Sequence, residues 1–214
     1  MSDILNELHG IYEDIKDEII ARLKEFDSLW KKGREEDIFR ELVFCILTPQ
    51  SKAEICWKTV KNLEDKNLLL EGTFEEILDE LKNVRFRYKK AGYILNAREK
   101  FLRNGRIKIK EIVESKNILG TRERIVKEVK GVGYKEASHF LRNVGFGKEI
   151  AILDRHILKN LKVFGVINKI PMNLSRKKYL EIEKKMKILS KNINIPLLHL
   201  DFVLWYRETG KVFK

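Results

Sequence analysis

The sequence predicts an all-α fold of roughly ten helices, because apolar residues recur at intervals of three and four along most of the chain. Two further observations agree with it. No stretch sustains the apolar/polar alternation of a half-buried strand. No internal repeat, heptad pattern or low-complexity tract interrupts the helical spacing.

The elements follow in order. Ile4, Leu8, Ile11, Ile15, Ile19, Leu23, Phe26 and Trp30 share one face, as one long helix or two short ones. "KKGREED" (31–37) is a polar break. "IFRELVFCIL" (38–47) is apolar on almost every side, which fits a central, buried helix. It ends at "TPQS" (48–51), where Pro49 disfavours a helical backbone at Thr48. The next helix, about 51–63, turns Ile55, Val60 and Leu63 inward. Thr73 stands three residues before Glu76, a capping-box pattern that opens a helix over 73–83. "VRFRYKKAGYILNAREKFLRNG" begins as a loop of arginines and aromatics. It becomes a helix through Ala91, Ile94, Ala97 and Phe101, with Gly105 as its expected C-cap.

"TRERIVKEVK" (121–130) reads as a short basic helix with Ile125, Val126 and Val129 inward. "GVG" turns the chain, and Tyr134, Ala137, Phe140, Leu141 and Val144 mark a second helix. "GFGKEIAILDRH" is a loop leading to a helix over about 155–163. Tyr179, Ile182, Met186 and Leu189 give one more stripe. After Pro196 a last helix runs to Gly210, leaving the tail "KVFK".

Composition bounds the function. A hydrophobic share of 43% over 214 residues is ample for a packed core and excludes a disordered chain. No run of 18 apolar residues occurs, so no membrane span is expected. "MSDILNELHG" lacks the basic-then-apolar order of a secretory signal. Cys45 and Cys56 both fall in apolar helical patterns, as buried free thiols of a reducing, cytoplasmic compartment would. Two cysteines cannot supply a four-thiolate iron–sulfur cluster, and four scattered histidines give no zinc spacing. The 44 Lys and Arg exceed the 32 Asp and Glu by 12, which points to a polyanionic partner. A thermophile-type surface is the rival reading, although such surfaces usually balance the two signs.

The chemistry concentrates in "VKGVGYKEASHFL" (129–141). A helix, a GxG turn and a second helix form a phosphate-binding device. Glycines let the backbone approach a ligand, and the second helix offers its N-terminal dipole to an anion. By itself the stretch fits a plain αα-turn equally well.

Taken with "ILDRH" downstream, it resembles the helix-hairpin-helix, Gly/Pro-rich loop and aspartate signature of base-excision DNA glycosylases. That family's hairpin reads Leu-Pro-Gly-Val-Gly-x-Lys-x-Ala. Here Val129 replaces the leucine and Lys130 the proline, while Gly131, Val132, Gly133, Lys135 and Ala137 match. The resemblance implies that Lys135 is the nucleophile of the bifunctional branch. It implies that Asp154, with His156 in the Asp-x-His triplet, is the aspartate. The chemistry explains those residue types. A carboxylate near C1′ stabilises the positive charge that builds as an N-glycosidic bond breaks. An amine can attack C1′, form a Schiff base and allow β-elimination of the 3′ phosphate. An ordinary lysine is protonated at pH 7, so its site must lower its pKa or give its proton an acceptor. Asp154 also suits the N-cap of the following helix. The resemblance makes His156 a phosphate contact.

Three features narrow the branch. The endonuclease III branch usually carries a cysteine-rich cluster loop, which two cysteines exclude. "LTPQSK" resembles the segment whose Gln or Asn fills the gap left by a flipped base, the role this implies for Gln50. "NVRFRYKKAGYI" and the terminal "LWYRETGKVFK" resemble the archaeal and bacterial type-2 8-oxoguanine DNA glycosylases. Those are compact, all-helical, cluster-free chains ending in a lysine. The likeness implies that Lys214 recognises the oxidised guanine between aromatic faces, for which Trp205 and Phe86 are the candidates. His139, one turn after Lys135, is expected to line the pocket too, and Arg85, Arg87 and Lys130, with Gly131, Val132 and Gly133 of the turn, are the expected DNA contacts.

The expected enzyme is thus a bifunctional glycosylase and abasic-site lyase acting on damaged double-stranded DNA in a prokaryotic cell. It would be a monomer with no cofactor in its chemistry, though a monovalent cation in the hairpin is compatible with the family. A central helical domain of about 34–152 would sit beside one built from both chain ends, 1–33 and 153–214. Two rivals stay open: a glycosylase for oxidised pyrimidines, and a non-catalytic helix-hairpin-helix module. The second explains the charge and the GVG turn but not Lys135 together with Asp154.

Overall fold

A computed structural model describes residues 2–214, with side chains from Leu5 onward. Ten α-helices dominate the described residues: α1 (Ser2–Lys32), α2 (Glu35–Leu47), α3 (Ala53–Asp65), α4 (Phe74–Glu80), α5 (Arg87–Phe101), α6 (Ile118–Glu128), α7 (Tyr134–Asn143), α8 (Arg155–Val163), α9 (Arg176–Asn192) and α10 (Leu197–Thr209). The N-terminal stripe forms one continuous helix, with Leu8, Tyr12, Ile15, Ile19 and Phe26 buried along it. The side chain of Ile4, assigned to the same face, lies outside the described residues.

Local chemistry sets several boundaries. The Thr73 hydroxyl accepts from the Glu76 N–H, and Glu76 Oε2 accepts from the Thr73 N–H at 2.8 Å, closing the expected capping box on α4. Asn117, Asp154 and Ser175 cap α6, α8 and α9 with their side chains. Gly210, at φ 67°, ends α10 in the left-handed conformation.

Two local expectations are corrected. Gly105 does not cap α5, which already ends at Phe101. Asn104 (φ 50°) and Gly105 (φ 73°) instead form the turn of a two-stranded hairpin, β1 (Leu102–Arg103) with β2 (Arg106–Ile107). Asn-Gly suits consecutive positive φ angles, so the turn chemistry overrode the helical reading. Thr48 keeps a right-handed helical backbone (φ −67°, ψ −30°) in spite of Pro49. Its hydroxyl donates to Cys45 O at 2.9 Å and its N–H to Phe44 O, and these bonds hold it against the proline's steric preference.

The apolar side chains gather in two clusters. The first spans Ile38 to Ile150 and is centred on α2, where every residue from Ile38 to Leu47 except Arg40 is buried. Each large side chain buried there stabilises the fold by about 1.5–3 kcal/mol. The second draws on Leu8–Phe26 of α1 and on Ala151–Val212. Cys45 and Cys56 are buried free thiols of the first cluster. Burial raises both thiols, Cys56 to about 11, so neither is a ready nucleophile. The C-terminal tail joins the clusters, with Val212 in the second and Phe213 packed on the first.

Candidate functional site

The α6–α7 hairpin is built by its glycines. Gly131 adopts φ 84°, and a Cβ there would stand 2.2 Å from the Tyr93 ring, so only glycine fits. Gly131→Ala is therefore expected to lower stability by about 2–4 kcal/mol through backbone strain and overlap, measured by urea unfolding. Gly133 offers no side chain to cap α7, and its N–H donates instead to Glu136 Oε2 at 3.1 Å. The Val132 N–H closes on Val129 O at 3.2 Å. Two of the turn's N–H groups are thus bonded within the hairpin. Lys130 and Gly131 stand exposed at its tip, while Val132 is buried in the core.

Past the turn, Lys135 lies on the first turn of α7. Its Nζ donates to Thr48 Oγ1 at 2.9 Å and stands 3.8 Å from Glu136 Oε1. Because the Thr48 hydroxyl proton goes to Cys45 O, a Thr48 lone pair faces the amine and fixes its direction. Asp154 caps α8. Its Oδ1 accepts from the N–H groups of His156 (2.8 Å) and Ile157 (2.9 Å), leaving Oδ2 free of these bonds. Lys135 and Asp154 line one cavity of about 640 Å³.

That cavity also gathers Gln50, Arg85, His139, His156, Trp205 and Lys214 from the expected site. Gln50 is exposed at φ 55°, a left-handed conformation unusual for glutamine. The turn bearing it is clamped from beneath by Lys90, only 3% exposed, whose ammonium donates to Leu47 O (2.8 Å), Pro49 O (2.8 Å) and Ser51 Oγ (3.1 Å). Burial lowers the Lys90 pKa to about 8. His139 is 6% exposed with neither ring nitrogen hydrogen-bonded, and it lies edge-on to Phe44 at 5.4 Å. Burial, then the nearby Lys135 and Arg142 cations, push its pKa well below the ordinary value, so the ring is neutral.

The expected place of one aromatic residue changes. Phe86 is not a wall of the cavity. It is 49% exposed, at φ 59° on the N-terminal flank of α5, with the Arg85 guanidinium 5.1 Å from its ring. The left-handed backbone turns it outward, and the aromatic side chains that line the cavity are Phe202, Trp205 and Phe213. His156 lies on the first turn of α8, in the lining of the cavity. It stacks edge-on against Trp205 at 4.9 Å, within the cavity wall. Arg87 lies outside the cavity, its guanidinium 5.2 Å from the Tyr88 ring.

The chain's last residue reaches inward. The Lys214 ammonium pairs with Glu41, which is fully buried on α2, and stands 3.5 Å from the Trp57 ring centroid. Burial lowers the Lys214 pKa. The ammonium is thus engaged with Glu41 rather than pointing freely into the cavity.

Residues 19–195 match the family model described as 8-oxoguanine DNA glycosylase. The chain belongs to that family. An 8-oxoguanine DNA glycosylase/AP lyase of Fusobacterium nucleatum is 46% identical over 214 residues, covering 100% of this chain and 99% of the relative. The 8-oxoguanine glycosylase/lyase of Methanocaldococcus jannaschii, solved with a 15mer DNA containing 8-oxoguanine, superposes with a TM-score of 0.88 at 42% identity over 99% of both chains. The 8-oxoguanine DNA glycosylase of Thermotoga maritima gives a TM-score of 0.89 at 35% identity over the full length of both.

Sequence reasoning missed several residues of this family member's site. Arg142 and Asp201, both buried, pair across the cavity floor at 2.6 Å, and the Arg142 guanidinium sits 4.5 Å from the Phe202 ring. Burial raises the Asp201 carboxyl to about 6 despite Arg142. Glu41 and Thr48 were hidden because their partners lie 173 and 87 residues away. The one available signal was a charge inside an apolar run, Glu41 within "IFRELVFCIL".

Proposed function

We propose that this chain excises 8-oxoguanine from duplex DNA and cleaves the abasic site by β-elimination through Lys135. One observation carries this reading: Lys135 and Asp154 line the same cavity, which the chain's own terminal residues help to close. A flipped nucleoside would present its base to the aromatic end and its sugar to the Lys135–Asp154 end. As the N-glycosidic bond lengthens, Asp154 stabilises the cationic sugar and the electron pair leaves with the base. The neutral Lys135 amine, held by Thr48, bonds to C1′ and loses a proton; the C1′–O4′ bond then breaks, O4′ takes up a proton as the 4′-hydroxyl, and the ring-opened sugar is left as the imine. Removal of a C2′ proton then expels the 3′ phosphate.

The oxidised base carries a C8 carbonyl and an N7–H donor that guanine lacks, and the N7–H calls for an acceptor. Neutral His139, with both ring nitrogens unpartnered, and the Asp201 carboxylate supply acceptors in this cavity. Lys214 acts by anchoring the tail on Glu41 and so shaping the pocket. Gln50 enters the gap left by the flipped nucleotide, and Arg85, Arg87 and Lys130 neutralise phosphates.

We assign the two hydrophobic clusters to two lobes, about 34–152 and 1–33 with 153–214. Their extents, Ile38–Ile150 against Leu8–Phe26 with Ala151–Val212, support that division. The enzyme acts as a monomer on the DNA of a prokaryotic cell. No helix among the described residues is long and apolar enough to cross a membrane. Any monovalent ion at the hairpin would rest on main-chain carbonyls, and no step above draws on it.

Base release from matched duplexes tests the reading. Excision of 8-oxoguanine should exceed that of thymine glycol by at least about 100-fold, the discrimination expected when buried polar groups would be left unpaired. Preference for thymine glycol would move the assignment to oxidised pyrimidines. Deleting Lys214 should lower the 8-oxoguanine-over-guanine preference by about tenfold or more, because Glu41 loses its partner and the tail its anchor. An unchanged preference removes Lys214 from recognition.

A further inference from the structure

A second buried polar cluster lies away from the cavity, at the junction of α6, α7 and α9. Arg122 is 1% exposed and grips Glu183 with two bonds, Nη1 to Oε1 at 2.6 Å and Nη2 to Oε2 at 3.0 Å. Nη1 also reaches Ser138 Oγ at 3.2 Å. Tyr179 is equally buried, with its hydroxyl 3.3 Å from the same Ser138 oxygen. Such clusters are costly to assemble, and a buried ion pair is weak grounds for expecting stability. What distinguishes this one is where its remaining bonds go.

They go to the main chain just before Asp154. Glu183 Oε1 accepts from the Ala151 N–H at 2.8 Å. The Tyr179 hydroxyl donates to Ala151 O at 2.6 Å and accepts from the Leu153 N–H at 3.2 Å. Three main-chain groups of a loop are thereby held by two side chains of α9. The same cluster touches α7 through Ser138, one turn beyond Lys135. It links the helix carrying the amine to the loop carrying the carboxylate, across the boundary of the two hydrophobic clusters.

We infer that Tyr179 and Glu183 are positioning residues, which hold residues 151–153 so that Asp154 faces the sugar at a fixed distance from Lys135. This rests on the roles given to Asp154 and Lys135 above. Besides the Ser138 contact, helix α7 is anchored by its own backbone bonds and by Ala137, Phe140 and Leu141 in the core, which Tyr179 does not supply. Loosening the 151–153 segment therefore moves the carboxylate and leaves the amine in place. The step that needs Asp154 is base departure; elimination from an abasic site that already exists needs Lys135.

Tyr179→Phe keeps the ring and removes only the hydroxyl. Single-turnover excision from 8-oxoguanine duplex should fall by about 10- to 100-fold, the cost of an ångström-scale misplacement. Strand cleavage of a preformed abasic duplex should fall by less than about threefold, and duplex affinity should stay unchanged. Ile182→Val, one helix position before Glu183 in the second core, controls for lost stability and should leave the ratio of the two rates at the wild-type value. Glu183→Gln provides a second reading if Tyr179→Phe does not fold. Equal losses in both rates, or an unchanged ratio, overturn the inference. Asp154→Asn run alongside separates the two failures. If that variant loses excision while Tyr179→Phe keeps the wild-type ratio, the positioning role alone is wrong. If it excises normally, the role of Asp154 is wrong and the inference falls with it.

Discussion

Replacing Lys135 with glutamine is expected to abolish strand cleavage and to lower base release by about three orders of magnitude or more, as removal of a catalytic nucleophile does. Glutamine is one bond shorter than lysine but keeps an N–H donor on the side of Thr48 Oγ1 and introduces no buried charge, so the fold should survive. What it lacks is the amine that bonds to C1′. Circular dichroism should match the wild type, and gel assays of 8-oxoguanine duplex and of abasic duplex should both show loss of cleavage. Strand cleavage at the wild-type rate would remove Lys135 from the chemistry.

Asp154→Asn should separate the two tasks of that carboxylate. Asparagine caps helices about as well as aspartate, so the bonds from the His156 and Ile157 N–H groups can persist. The charge is lost, and with it the electrostatic support for the cationic sugar. Excision should fall by about 10²–10³-fold, comparable to removing one preorganised stabilising group. The midpoint of thermal unfolding should move by less than about 3 °C, under 1 kcal/mol for a chain of this size. Asp154→Ala should cost the same activity and about 1 kcal/mol of stability as well, because the cap is then lost. A variant that keeps its activity while losing stability would leave Asp154 as a helix cap and nothing more.

The helices were legible because their apolar spacing is local and period-specific. The stripe from Leu8 to Trp30 and the run from Ile38 to Leu47 needed no tertiary information. The β-hairpin at 102–107 was not read, since two-residue strands leave no alternation to detect and Asn104-Gly105 resembles a helix end as much as a turn. Lys135 and Asp154 were legible through a motif that keeps both within residues 129–156. Glu41 and the Arg142–Asp201 pair were not, because each is defined by a partner distant in sequence. Phe86 was placed by its neighbours Arg85, Arg87 and Tyr88. Composition cannot show that its backbone is left-handed and turns the ring out of the cavity.

Borohydride trapping tests the central claim most directly, because reduction converts an imine between enzyme and sugar into a stable amine. Wild-type protein with an 8-oxoguanine duplex should yield a covalent adduct, and proteolysis with mass spectrometry should place the sugar remnant on Lys135. No adduct while base release continues, or an adduct on another lysine, would contradict the assignment of Lys135 as the nucleophile.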